Sequence, residues 1–146
     1  MQMRAATVAD FAAIHAVRVA VRENRLSDPN RITQDDYRDM LQRDGTGWII
    51  EVDGRIVAFG IADRTHRNIW ALFVQPGYEG RGFGRRLLKT MTDWLCNEGC
   101  AVIWLTTDPG TRAESFYRAA GWTDAGLETN GERRFEWNCY THGPFD

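Results

Sequence analysis

The residues best equipped for chemistry in this chain of 146 residues lie in two stretches. The first runs from Val74 through Gln75-Pro76-Gly77-Tyr78-Glu79-Gly80-Arg81-Gly82-Phe83-Gly84 to Arg85 and Arg86. An apolar strand breaks there and passes through glycines at alternate positions into an amphipathic helix. That order delivers unpaired backbone N–H groups to a helix start, at the positive end of the helix dipole. Arg81, Arg85 and Arg86 add cationic side chains at the same place, and the combination is a phosphate site. A bare tight turn would need only one glycine. The spacing is not the dinucleotide pattern G-x-G-x-x-G, because Arg85 stands three after Gly82, and no Gly-Lys-Ser/Thr follows to make a P-loop. The second stretch, Ala113 to Trp122, sets Phe116 and Tyr117 on a helix stopped by Gly121. A phenol there can protonate a leaving group. It can also be a core residue with its hydroxyl at the rim.

The surrounding pattern says what must position these residues. Alternation at Met1, Met3 and Ala5 predicts a short strand, and Thr7 to Asp10 reads as a capping box for a helix with Phe11, Ile14, Val17 and Val21 on one face. The far end of that helix, Arg18 to Arg25, is polar and leads into a loop. Thr33 starts a second short helix that closes near Gly45. Asp53-Gly54 between apolar runs predicts a hairpin of 48–52 with 55–62. Strand 68–74, the helix after the glycines and strand 101–105 make a parallel, right-handed βαβ unit. A helix over 111–120 and two antiparallel strands close the chain. The expectation is one α/β domain spanning 1–146, with a mixed, mostly antiparallel sheet of about 6–7 strands flanked by about 4 helices.

Composition narrows the function classes. A formal net charge of −2 argues against a protein that holds nucleic acid by bulk electrostatics. No apolar run approaches the ~18–20 residues of a membrane span, and Met1 to Ala5 carries no signal-peptide pattern. Three cysteines without framework spacing read as reduced thiols in a cytoplasmic protein. Cys96 and Cys100 are four apart but have no further ligands at zinc-like spacing, so no metal site is expected.

The run Glu79 to Leu88 resembles the Q/R-x-x-G-x-G/A motif of the GCN5-related N-acetyltransferases, with Gly82 and Gly84 on its two small-residue positions. Ala113, Phe116, Tyr117, Gly121 and Trp122 resemble the family's second element, N-x-x-A-x-x-F/L-Y-x-x-x-G-F/W. The resemblance covers essentially the whole chain. It implies an acyl-CoA N-acyltransferase fold and direct transfer of acetyl from acetyl-coenzyme A to a primary amine, on a small molecule or a peptide. Gly80, Arg81, Gly82, Phe83, Gly84, Arg85 and Arg86 would hold the pyrophosphate. Phe73 and Val74 would pair with the pantetheine arm, where the family splays its fourth and fifth strands, with Leu105 and Thr106 lining the other side, and Thr111, Ala113 and Phe116 would also bind the cofactor. Tyr117 would protonate the departing sulfur.

Three departures stand out. Glu79 replaces the usual Gln or Arg, so its carboxylate is expected to turn away from the ligand. Gly110 replaces Asn, leaving Thr111 or water to supply the missing bond. Asn68 stands where many members carry a glutamate base and cannot act as one. His66 is the candidate base by intrinsic pKa, with water as the alternative relay and Asp63, Glu51 and Glu132 as rivals. Arg22, Asn68, Trp70 and Glu132 are the candidates for acceptor binding, and a carboxylate-bearing amine could use Arg18 or Arg22. Oligomeric state stays open, although dimers are common among relatives and a homodimer is one assembly the resemblance allows. Two other readings are a non-catalytic acyl-CoA-binding or sensing module and an RNA-acetylating toxin, the latter disfavoured by the net charge.

Overall fold

Asp53 and Gly54 both take positive φ, 52° and 76°, as a tight type I′ turn requires, and they join β2 (Gly45–Val52) to β3 (Arg55–Asp63). This hairpin is the middle of a sheet in the order β1-β2-β3-β4-β5-β7-β6. The remaining strands are β1 (Gln2–Ala5), β4 (Asn68–Val74), β5 (Val102–Thr107), β6 (Thr123–Leu127) and β7 (Arg133–Asn138). Neighbours are antiparallel except β4 and β5, which run parallel as the crossover between them predicts. The structure, a computed structural model, describes residues 1–21 and 32–142.

The helices are α1 (Phe11–Ala20), α2 (Gln34–Asp39), α3 (Phe83–Asn97) and α4 (Arg112–Ala119). The capping box at Thr7 opens a 3₁₀ turn, Val8–Asp10, that runs into α1. The box at Thr33 caps α2, whose end loosens into a π-helical turn, Met40–Asp44. The sheet separates two apolar clusters. One joins Leu87, Leu88, Met91 and Leu95 of α3 to Ile103, Phe135 and Trp137. The other joins Ile14 and Val17 of α1 and Tyr37 of α2 to Ile49, Phe59, Ile61 and Ala71.

Two expectations are corrected. The first helix ends earlier than its polar pattern suggests: Val21 is extended, with φ −74° and ψ 127°. Arg22, Glu23, Asn24, Arg25 and the loop to Arg31 lie outside the described residues. The cysteines are not all reduced. Cys96, near the end of α3, is bonded to Cys139, just beyond β7, and only Cys100 is free. The pairing comes from the return of the chain, since the Cys139 N–H donates to the Ala101 carbonyl at 2.9 Å and brings together residues 43 apart in sequence. Spacing within the sequence carries no trace of that contact.

Candidate active site

The site begins where β4 and β5 part. Among the described residues their ladder is one pair, Asn68 with Trp104, backed by a 3.1 Å bond from the Trp104 N–H to the Arg67 carbonyl. Beyond it the strands diverge, so the β5-facing edge of β4 keeps backbone groups that no ladder satisfies. On its other side β4 pairs with β3 through a bulge, where Ile61 opposes Ala71 and Ala62 opposes Ile69, leaving Trp70 as the extra residue. A cleft of about 600 Å³ fills the gap. Its walls include Asn68 to Phe73 of β4, Trp104 to Asp108 of β5 and its following loop, Ala113 and Tyr117 of α4, and Arg18, Ile32, Asp36 and Glu132.

At the divergent end of β4 the chain enters the glycine loop. Gly82 is the residue that precedes α3 and takes φ 83°, ψ 6°, a left-handed conformation that a side chain would strain. The first turn of α3 closes with the Arg86 N–H on the Gly82 carbonyl at 3.0 Å, so the amides ahead of it have no intrahelical acceptor. Phe83 points its ring into the core, and only its backbone belongs to the loop. Arg81 lies over the Tyr78 ring, 4.9 Å from its centroid, while Arg85 and Arg86 are exposed on the first turn. Glu79 accepts a 2.5 Å bond from the Gly77 N–H and pairs with Arg112 at 3.0 Å. Its own backbone N–H first, then the Gly77 N–H and Arg112, hold its carboxyl below the usual range and commit its oxygens to the turn and to α4.

Tyr117 is 6% exposed, and burial pushes its phenol well above the ordinary tyrosine value. Its ring packs on Phe116, Trp122 and Phe135 at 5.2, 6.2 and 6.0 Å between centroids. Thr111 is the N-cap of α4: its hydroxyl donates to the Asp108 carbonyl at 2.7 Å and accepts from the Glu114 N–H at 3.3 Å. Phe116 meets the other helix start, since a Cβ on Gly84 would lie 3.6 Å from its ring. The start of α3 and the first turns of α4 therefore stand side by side, and α4 contributes Ala113 and Tyr117 to the cleft.

The candidates for base and acceptor residues divide. Asn68, Trp70 and Glu132 line the cleft with Tyr117. The Asn68 Oδ1 is buried and, among the described residues, has no hydrogen-bond partner. Glu132 accepts from the Asn130 side-chain amide at 2.8 Å. His66 is exposed in the turn before β4 and is not among the lining residues; its Nδ1 is 2.7 Å from the Asp63 Oδ2, and its carbonyl accepts from the Trp104 indole at 2.9 Å. Asp63 is buried against that turn, and Glu51 pairs with Arg4 at 2.9 Å on another part of the sheet. Arg22 lies outside the described residues.

Local patterns did not reveal the cluster on the α1 side. Arg18 stacks over Phe73 at 4.8 Å and Trp70 at 5.6 Å, and Tyr37 meets the Trp70 ring edge-on at 5.6 Å. A hydrogen bond from Arg18 and its charge pull the Tyr37 phenol down, but burial outweighs them and the net shift is upward. The available signals were the polar end of the first helix, which made Arg18 a candidate for a carboxylate-bearing amine, and the broad face of Trp70; neither shows that the two stack.

The family model for the acetyltransferase (GNAT) family matches residues 11–122. An uncharacterized N-acetyltransferase ycf52-like of Prochlorococcus marinus is 36% identical over 70 residues, covering 48% of this chain and 36% of that protein. A thialysine N-epsilon-acetyltransferase of Bos taurus is 31% identical over 77 residues, covering 51% of this chain and 42% of that protein. The chain thus spans less than half the length of these two relatives. The crystal structure of a PaiA N-acetyltransferase from Thermoplasma acidophilum, in complex with coenzyme A, superposes with a TM-score of 0.81 at 15% identity, covering 94% of this chain and 98% of that one. At that identity the likeness is one of fold.

Proposed function

The chain belongs to the acetyltransferase (GNAT) family, and from that premise we propose that it is an acetyl-CoA-dependent N-acetyltransferase acting on a primary amine. The observation that carries this reading is the divergence of β4 and β5 beyond the Asn68–Trp104 pair, which opens a cleft lined by Tyr117 and Ala113 of α4, the helix whose Phe116 meets the start of α3 at Gly84. The residues present fit the ligand. Backbone N–H groups of 82–85 and the side chains of Arg81, Arg85 and Arg86 suit a diphosphate. The open edge of β4 at Phe73 and Val74 suits the amides of a pantetheine arm, as an added strand would. Ala113 and Phe116 bound the other wall, and Glu79 is tied down by Gly77 and Arg112. When bound, acetyl-CoA supplies an activated thioester carbonyl.

The chain's own residues do the rest. Asn68 Oδ1 accepts a hydrogen bond from the incoming amine, which aims its lone pair at the carbonyl carbon. As the carbon–nitrogen bond forms and the carbon–sulfur bond breaks, Tyr117 gives its proton to the sulfur. Burial keeps the phenol protonated at neutral pH, so the proton is in place when charge develops on the sulfur, although the same burial makes it a weaker acid than an exposed tyrosine. The amine proton leaves through water to His66, whose Nδ1 lies 2.7 Å from the Asp63 Oδ2. Tyr117 recovers its proton from solvent. With acetyl-CoA as donor, the reading places the protein in the cytoplasm as a homodimer, with no nucleic acid or membrane partner. Among the described residues no helix is long and apolar enough to cross a membrane.

The test is release of free thiol from acetyl-CoA across a broad panel of primary amines. Transfer with acetylated amine as co-product is the expected result. Tight CoA binding without thiol release on any amine would make the protein a sensing module instead.

A further inference from the structure

The glycine loop is packed at its two ends and bare in between. Tyr78 and Phe83 rest against the core, while Gly80 and Gly82 between them take φ of 76° and 83°, with open space where a side chain would stand. Glycine without packing keeps wide conformational freedom, so polar ties must select the shape of this stretch. Glu79 supplies two of them. Its Oε1 accepts from the Gly77 N–H at 2.5 Å, and its Oε2 pairs with the Arg112 Nη1 at 3.0 Å.

Arg112 is the first residue of α4 and lies 33 positions from Glu79 in sequence. The same helix sets Phe116 against the start of α3, 3.6 Å from where a Cβ on Gly84 would lie, and carries Tyr117 to the cleft. An apolar contact at Gly84 and an ionic one at Glu79 therefore join α4 to the loop. With side chains 70% and 39% exposed, the Arg112–Glu79 pair adds little to global stability. A carboxylate in a loop that receives a diphosphate also works against binding by like-charge repulsion. Neither stability nor charge accounts for Glu79 here, which leaves the shape of the loop as its contribution.

We propose that Glu79 is a positioning residue for the cofactor: it ties the glycine loop to α4 through the Gly77 N–H and Arg112, and so presets the path into Gly82 and the amides of 82–85 for the diphosphate. The proposal rests on the N-acetyltransferase reading and adds to it a residue that acts without touching the ligand. A loop ordered in advance raises affinity because its ordering is no longer a cost of binding.

The experiment measures CoA affinity by calorimetry in the wild type, Glu79→Ala, Arg112→Met and the double variant. A bystander anion and a positioning residue differ in sign. Removing a bystander anion should tighten CoA binding, whereas removing the tie should weaken it by about 3- to 10-fold, the range of one net hydrogen bond. Weakening is the expected result, with Tm within a few degrees of wild type. Arg112→Met should weaken binding in the wild-type background and add nothing in the Glu79→Ala background, because Arg112 acts through Glu79. In turnover on a responsive amine, the loss in Glu79→Ala should fall on KM for acetyl-CoA rather than on kcat. Equal or tighter CoA binding by Glu79→Ala would overturn the proposal and leave the enzyme reading standing. Full additivity of the two substitutions would put Arg112 on the ligand by itself and also overturn it. Losses of Tm and kcat that match the loss of affinity would make Glu79 a structural residue, with the same consequence. No CoA binding by the wild type would remove the reading and the proposal together.

Discussion

Replacing Tyr117 by Phe removes one oxygen and keeps the ring. The ring carries the packing against Phe116, Trp122 and Phe135 at centroid distances of 5.2 to 6.2 Å, and the hydroxyl makes no hydrogen bond among the described residues. The fold should therefore lose less than ~1 kcal/mol, about the net value of one ordinary hydrogen bond. The chemical step should lose far more. A positioned general acid contributes ~10²- to 10⁴-fold, which at ~1.36 kcal/mol per decade is ~3–5 kcal/mol of barrier. Steady-state thiol release on a responsive amine, with CoA affinity by calorimetry and Tm by scanning calorimetry, separates the two quantities. The expected result is a kcat reduced at least ~100-fold with CoA affinity held within ~2-fold and Tm within a few degrees. A variant that keeps kcat within ~3-fold of wild type would refute the assignment of Tyr117 as the acid and leave it a core residue.

Gly82→Val should cost ~1–2 kcal/mol of stability, because the residue sits at φ 83° although the space around it is open, and the turned amides should lower CoA affinity by at least tenfold in calorimetry. Reduction of Cys96–Cys139 should lower stability by ~2–4 kcal/mol, read as a drop in Tm on adding a thiol reductant, and Cys139→Ser should melt at the reduced value under both conditions. Tyr37 and Tyr117 both have phenols raised by burial, so above pH ~10 the unfolded chain loses protons that the folded chain keeps. Stability should fall there by up to ~1.4 kcal/mol per pH unit for each group, and urea titrations of Tyr117→Phe should show the smaller slope.

Most of the architecture was legible because it is local. Asp53-Gly54 needs only its own backbone preference to make a hairpin, and the break at Gln75-Pro76-Gly77 followed by Gly82 needs only its own sequence to make a loop that starts a helix. Tyr117 was legible as a candidate through its motif, and the structure adds the burial that would hold its proton. Elements that depend on distant neighbours were not legible. The pairing of Cys96 with Cys139 is set by chain return, and no short window of sequence contains both partners. Arg18 reads as one charge on a polar helix end until Trp70 and Phe73, more than 50 positions on, are placed beneath it. His66 was legible through its intrinsic pKa, and the structure adds the turn in which its ring meets Asp63, outside the cleft lining.

The measurement that bears most directly on the central claim is a crystal structure with acetyl-CoA. The account predicts the diphosphate on the amides of 82–85, the pantetheine arm along the open edge of β4 between Phe73 and Ala113, and the sulfur within hydrogen-bond reach of the Tyr117 hydroxyl, ~3.5 Å. Acetyl-CoA bound with its thioester outside the β4–β5 cleft, or with its sulfur remote from Tyr117, would contradict it.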